Sequence, residues 1–250
     1  MSIFAVPIIA VLALVQANGQ AAAPAPERDP SAGLVVAELF TSQACRFCPS
    51  ANAWFADAAE GRADMLALAY GVDYWDVIHG WRDEYAHPDF AARQKAYVKA
   101  GEARRVFTPH FVINGGPERI RFSPERMQAA FEAAAPLAQV SAVRDNGAIT
   151  IHLEGAAPEG GADVWVIHFA PGRHVRVIET GANEGVEMTH YNMVRAIEHA
   201  GLWSGGVQTF EAAWPDDASL SSAVLVQAGE GGRLVAAGRV TRNSAVAQRH

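Results

Sequence analysis

Cys45 and Cys48 are the only cysteines in the chain, and two residues separate them in Cys45-Arg46-Phe47-Cys48-Pro49. Thiols at this spacing can cycle between dithiol and disulfide, one sulfur attacking a partner and the other resolving the mixed disulfide. The flanking residues say which sulfur does which. An apolar run, Leu34 to Phe40, precedes the pair, and Ala51, Trp54, Phe55, Ala58 and Ala59 follow it at helical spacing. A strand that turns into a helix here sets Cys45 at a helix N-terminus, where unpaired N–H groups and the helix dipole favour a thiolate. Cys45 is therefore the expected nucleophile and Cys48 the resolving thiol, at a bend that solvent can reach. Two other readings stay open: a static disulfide, and a Cu(I) site on the two thiolates, for which the sequence places no Met or further Cys nearby as a third ligand.

Other residues are candidates by position. Glu38 falls inside the first apolar run, where a buried carboxyl could exchange protons with Cys48, or else pair with an arginine. Thr108-Pro109 opens an apolar segment; a cis bond there would face the sulfurs and leave the Thr108 backbone to pair with an extended substrate. Arg46 and Phe47 between the cysteines, with Asp73, Trp75 and Asp76 beyond the second apolar run, are candidate substrate-binding residues. His79, His87 and His110 show no metal-ligand spacing, so no metal or other cofactor is expected from them. His190, with Asn192 and Arg195, is a candidate for capping an interface between the two halves of the chain.

The elements that must position these groups can be read in order. A strand over Leu34–Phe40, the helix after Pro49 ended by Gly61, and a second apolar run from Met65 to Val72 form a strand-helix-strand unit, which favours a parallel pair. A helix from Pro88 to about Ala100 puts Phe90, Tyr97 and Val98 inward and Arg93, Lys95 and Lys99 outward. Val106 to Ile113 is the third strand. Asn114-Gly115 signals a hairpin with Ile120 and Phe122 on the returning strand, and Ser123-Pro124 starts a helix lined by Met127, Ala130, Phe131 and Ala134. The order is β-α-β-α-β-β-α. Beyond Gln139 the pattern changes to short β-type runs at Val140–Val143, Ile149–Leu153, Val164–Phe169, Val175–Ile178, Val224–Gln227 and Leu234–Val240, separated by glycine-rich turns. Met188 to Leu202 fits helix or strand, with strand preferred. This half is expected to be an antiparallel, sandwich-like sheet module.

Several of these segments together resemble the thioredoxin-like fold: the two-cysteine turn after strand one, and Thr108-Pro109 at the start of the third strand, where that fold carries a cis-proline facing the cysteines. More closely, Glu38-Leu39-Phe40-Thr41-Ser42-Gln43-Ala44-Cys45 with Cys48-Pro49, then Val72-Asp73-Tyr74-Trp75-Asp76, Thr108-Pro109 and Asn192-Met193-Val194-Arg195, resemble the secreted bacterial family catalogued as domain of unknown function number 1223. The resemblance implies an α/β thioredoxin-like domain at 33–137 followed by a β-rich domain at 138–250. It implies no reaction, because that family has none assigned. The dipeptide Arg46-Phe47 departs from the Gly-Pro of thioredoxin and leaves the direction of electron flow open.

Composition bounds the rest. At 250 residues, half apolar and 19% charged, the chain is globular in type. A formal charge of -7 with only two lysines, Lys95 and Lys99, argues against a nucleic-acid partner. Ile3 to Val15 has the length of a signal-peptide core and is too short to span a bilayer as a helix. Residues 1–23 therefore read as a signal peptide, or an uncleaved N-terminal anchor, and 24–32 as an Ala/Pro-rich tether. Export to the periplasm or beyond is expected, where a disulfide can persist. Two functions follow as expectations: an exported thiol-disulfide oxidoreductase acting on a protein or small thiol, or a partner-binding or Cu(I)-handling protein without redox turnover.

Overall fold

The computed structural model describes residues 33–79, 82–101, 105–116 and 122–242. The expected signal peptide, tether and returning strand at Ile120 lie outside these residues.

Strand β1 (Val35–Thr41) is buried along its whole length. It pairs in parallel with β2 (Met65–Gly71), also buried throughout, and antiparallel with β3 (His110–Ile113). Helix α1 (Cys48–Ala59) connects β1 to β2, and its Ala51, Phe55 and Ala59 face the core. The run after β2, for which the sequence signals no element, contains a short helix, α2 (Tyr74–His79). Helix α3 (Pro88–Ala100) starts where the His87 side chain accepts from the Asp89 N–H. Asn114 and Gly115 take positive φ values of 49° and 66°, the paired left-handed conformation that a tight turn after β3 requires. Helix α4 (Pro124–Ala133) is capped by the Ser123 hydroxyl, which accepts from the Arg126 N–H.

The second half supplies β4 (Ala138–Gln139), β5 (Ser141–Asp145), β6 (Ala148–Leu153), β7 (Ala162–Val177), β8 (Glu187–Trp203), β9 (Gln208–Ala213), β10 (Ser221–Gln227), β11 (Leu234–Arg239) and β12 (Thr241–Arg242). Val164–Phe169 and Val175–Ile178, two strands by sequence, belong almost wholly to the single strand β7, because register shifts at 164/165, 168/169 and 170/173 absorb the irregular residues without ending the pairing with β8. Strand β9, absent from the sequence reading, pairs with β6.

The expected division at 137/138 does not separate two cores. One eight-stranded sheet runs β3-β1-β2-β8-β7-β10-β11-β4, joined across the halves where Ala69 of β2 meets Met193 of β8. Asn192 stitches this seam: its amide donates to the Ala67 carbonyl at 2.9 Å and its oxygen accepts from the Gly172 N–H at 2.7 Å. One apolar cluster joins Phe40, Leu68, Tyr70 and Phe90 to Ile167, Phe169, Val194 and Leu225. A second sheet, β12-β5-β6-β9, is covered through Ile149, Ile151, Val164, Val166, Val224 and Val226, an inter-sheet core confined to the second half.

Arg93 reverses its expected orientation. It lies on the same face of α3 as Phe90 and Tyr97 and is buried, its Nε 2.6 Å from Glu38 Oε1 and a second nitrogen 3.1 Å from Oε2. Tyr97 also donates to Glu38, and Arg93 reaches Gln227 of β10 at 3.2 Å.

Candidate functional site

Past Thr41 the chain bends through Ser42, Gln43 and Ala44, with the Cys45 N–H donating to the Ser42 carbonyl and the Cys48 N–H to the Cys45 carbonyl. This turn sets Cys45 just ahead of α1 and Cys48 on its first helical position, with Pro49 where its missing N–H costs no hydrogen bond. Both cysteines are free thiols. The Thr108–Pro109 bond is cis, and the Cys45 thiol donates to the Thr108 carbonyl at 3.5 Å. Trp75 Nε1 donates to Thr108 Oγ1 at 2.9 Å, which leaves the hydroxyl proton to turn toward Cys45 when that sulfur ionises.

The two thiols are driven apart in acidity. A hydrogen bond from Cys48 is the largest influence on Cys45. Burial opposes it, the Thr108 side chain and the backbone of Phe47 and Cys48 add to it, and the outcome is a pKa lowered to about 6. Burial pushes Cys48 well above an ordinary thiol, and the hydrogen bond and charge of Cys45 push it further. Thr41, whose hydroxyl accepts from Asn52 at 2.6 Å, acts on Cys48 in the opposite sense. One sulfur is thus prepared to be a thiolate while the other holds a proton.

The other predicted residues divide. Arg46 and Phe47 are exposed on the turn, the guanidinium 5.2 Å from the Phe47 ring centroid. Trp75 packs on the cysteines. Asp76 accepts from the Asp83 N–H at 3.2 Å, and the Asp73 carbonyl accepts the first turn of α2. Glu38 is corrected: its carboxylate is committed to Arg93 and Tyr97, so the proton partner of Cys48 must be sought elsewhere. Solvent access is corrected as well. Cys45 is 1% exposed and Cys48 0%, because residues from the second half cover them.

That cover is the arm formed by the far end of β7, the turn through a short helical segment Gly181–Asn183, and the start of β8. Ile178 and Met188 pack on the two cysteines. Asn183, itself buried, donates to the carbonyls of Gln43 at 2.7 Å and Cys45 at 2.9 Å. Gln43 in turn lies 3.3 Å from His190 Nε2 and donates its backbone N–H to Asp83, whose carboxyl burial pushes up to about 6. On the outside, Arg173 bonds Asp57 of α1 and Glu60 just after it, and Arg176 bonds Glu84. Sequence reading singled out His190 as an interface cap, but nothing local marks Asn183, Met188 or Asp83 as neighbours of the cysteines. Asn183→Ala is expected to speed alkylation of Cys45 by about thirtyfold with little change in fold, since removing two hydrogen bonds of roughly 1 kcal/mol each favours the open arm. Equal rates in the two proteins would show that the arm does not limit access.

A family model described as "Protein of unknown function (DUF1223)" matches residues 36–227. No curated protein matches the chain. A crystal structure of a protein from Agrobacterium tumefaciens, described without a functional name, is similar to it with a TM-score of 0.68 at 25% identity, covering 84% of this chain and 96% of that one.

Proposed function

The chain belongs to the DUF1223 family, whose function is unknown, and from the geometry of its cysteine turn we propose that it is a thioredoxin-like, exported thiol-disulfide oxidoreductase. The observation that carries this reading is the opposition of Cys45 to the Thr108 carbonyl across the cis Thr108–Pro109 bond, with Cys48 behind it on the first turn of α1. The arrangement of β1, α1, β2 and antiparallel β3 around that turn supports the thioredoxin-like assignment.

The unequal acidity of the thiols favours one direction. A thiolate at Cys45 stabilises the reduced pair, so the disulfide form is a good oxidant. A substrate thiolate attacks the Cys45 sulfur, and Cys48 leaves and takes up a proton. A second substrate thiolate then attacks the substrate sulfur of the mixed disulfide, and Cys45 leaves as a thiolate. Two electrons pass from the substrate dithiol to the protein pair, and the substrate becomes a disulfide. The partner is a protein or small thiol that enters once the arm is displaced, with Phe47 and Arg46 as its first exposed contacts. These exchanges are one half-reaction, and a disulfide of higher potential returns the pair to its oxidised form by the same chemistry, being itself reduced to thiols. Among the described residues no helix is long and apolar enough to cross a membrane.

Equilibration of the protein with glutathione buffers, read by trapping free thiols, tests the reading. A reversible two-electron transition at a potential well above that of a structural disulfide is expected. A pair that stays in one state across the whole range would overturn it.

A further inference from the structure

The arm delivers a third sulfur to the cysteine pair. Met188 of β8 is fully buried in one cluster with Cys45, Cys48 and Ile178, and Trp75 packs against that cluster. We infer that the reduced protein binds one Cu(I) ion on the Cys45 and Cys48 thiolates and the Met188 thioether.

Three observations carry this. The first is the donor set: two thiols and a thioether are soft ligands, the type that selects Cu(I) over harder ions. The sequence offered only two of the three, because Met188 reaches the site through the fold. The second is the lack of a competing set. Among the described residues no group of three or more His, Cys, Asp or Glu side chains converges, so the four nitrogen, sulfur or oxygen ligands that a structural Zn(II) demands are not assembled here. His190, the nearby imidazole, faces Gln43 at 3.3 Å and the Tyr85 ring at 4.8 Å. The third is the shell. Ile178 and Trp75 wall the sulfurs with apolar surface, and the Asn183 bonds to the Gln43 and Cys45 carbonyls hold the arm that carries Met188. A dry, pinned wall keeps water from the ion and fixes the ligands around it.

Loading is balanced without electron transfer: Cu(I) enters, two Cu–thiolate bonds and one Cu–thioether bond form, and the protons that the two cysteines still carry leave to solvent. Exchange with a substrate disulfide, which is reduced to two thiols as the pair becomes a disulfide, removes both thiolates and releases the ion as Cu(I). Metal binding therefore requires the dithiol state on which the redox reading also rests, but it does not require turnover.

The test is anaerobic titration of the reduced full chain with Cu(I) in competition with bicinchoninate. One Cu(I) per chain is expected, with loss of binding in Cys45→Ser and Cys48→Ser and at least about tenfold weaker binding in Met188→Leu, a volume-conserving change that the core should tolerate. X-ray absorption should show three sulfur neighbours in the parent and two in Met188→Leu, while an unchanged circular dichroism spectrum confirms that the variant is folded. Failure of the reduced chain to compete for Cu(I), or equal affinity in Met188→Leu, would overturn the proposal. A protein that binds Cu(I) in this way yet shows no glutathione-dependent transition supports the copper site and sinks the redox reading. The opposite pair of results does the reverse.

Discussion

Cys48→Ala is expected to move the alkylation midpoint of Cys45 upward from about 6, toward the ordinary thiol range. The sign follows from which state each contact stabilises. The Cys48 thiol donates to the Cys45 sulfur, the bond favours the charged form, and it is the largest cause of the lowered value. Burial acts in the other direction and persists in the variant. With the Cys48 donor gone, only the Thr108 side chain and the backbone groups of Phe47 and Cys48 oppose it. The lowered value makes Cys45 mostly thiolate at pH 7 in the parent, against a few per cent for a free cysteine. In Cys48→Ala the iodoacetamide rate at pH 6.5 should fall by at least about tenfold, and Cys45→Ser should abolish the low-pH reactivity altogether. The measurement is the rate of alkylation of the reduced protein from pH 4 to 10. A Cys45 midpoint that does not move when Cys48 is removed would show that its acidity has another source.

The second large effect lies in the core. Arg93→Met should destabilise the protein by about 3–5 kcal/mol, because it strands the Glu38 carboxylate, 0% exposed, without its guanidinium. The loss should be much larger than that of an exposed pair such as Lys99–Glu230, 3.4 Å apart at the surface. Replacing both partners, Glu38→Leu with Arg93→Met, should recover a large part of it, since neither charge is then left in the core, although Tyr97 and Gln227 lose a partner. Urea unfolding of the parent, the single variant and the double variant measures all three. A single variant within about 1 kcal/mol of the parent would mean that water reaches Glu38 and that the pair is not structural. Glu38 would then again be available as a proton partner in the first half.

These two effects mark where local sequence information ran out. The strand, the two-cysteine turn and α1 were legible because each depends on neighbours: a continuous apolar run, a helical repeat, a proline at the first turn. The Ser123 cap and the Asn114-Gly115 turn were legible for the same reason, as backbone preferences of the residues themselves. Arg93 was misread. The sequence reading set it outward with Lys95 and Lys99 because of its charge, although it shares a helical face with Phe90 and Tyr97, and only the long-range approach of Glu38 from β1 offsets the cost of burying that charge. In β7, the interruption at Pro171 and Gly172 looked like a strand end, yet pairing with β8 carried the chain through it with shifts of register.

The cysteine site divides in the same way. The sequence by itself determined where the two thiols lie and that a helix starts beside them, since those properties reside in residues 34–59. Tertiary structure alone decided that Cys45 is covered, that Asn183 pins the cover and that Met188 adds a third sulfur, because these contacts join segments far apart in the chain and no local preference of either segment encodes the surface it will meet.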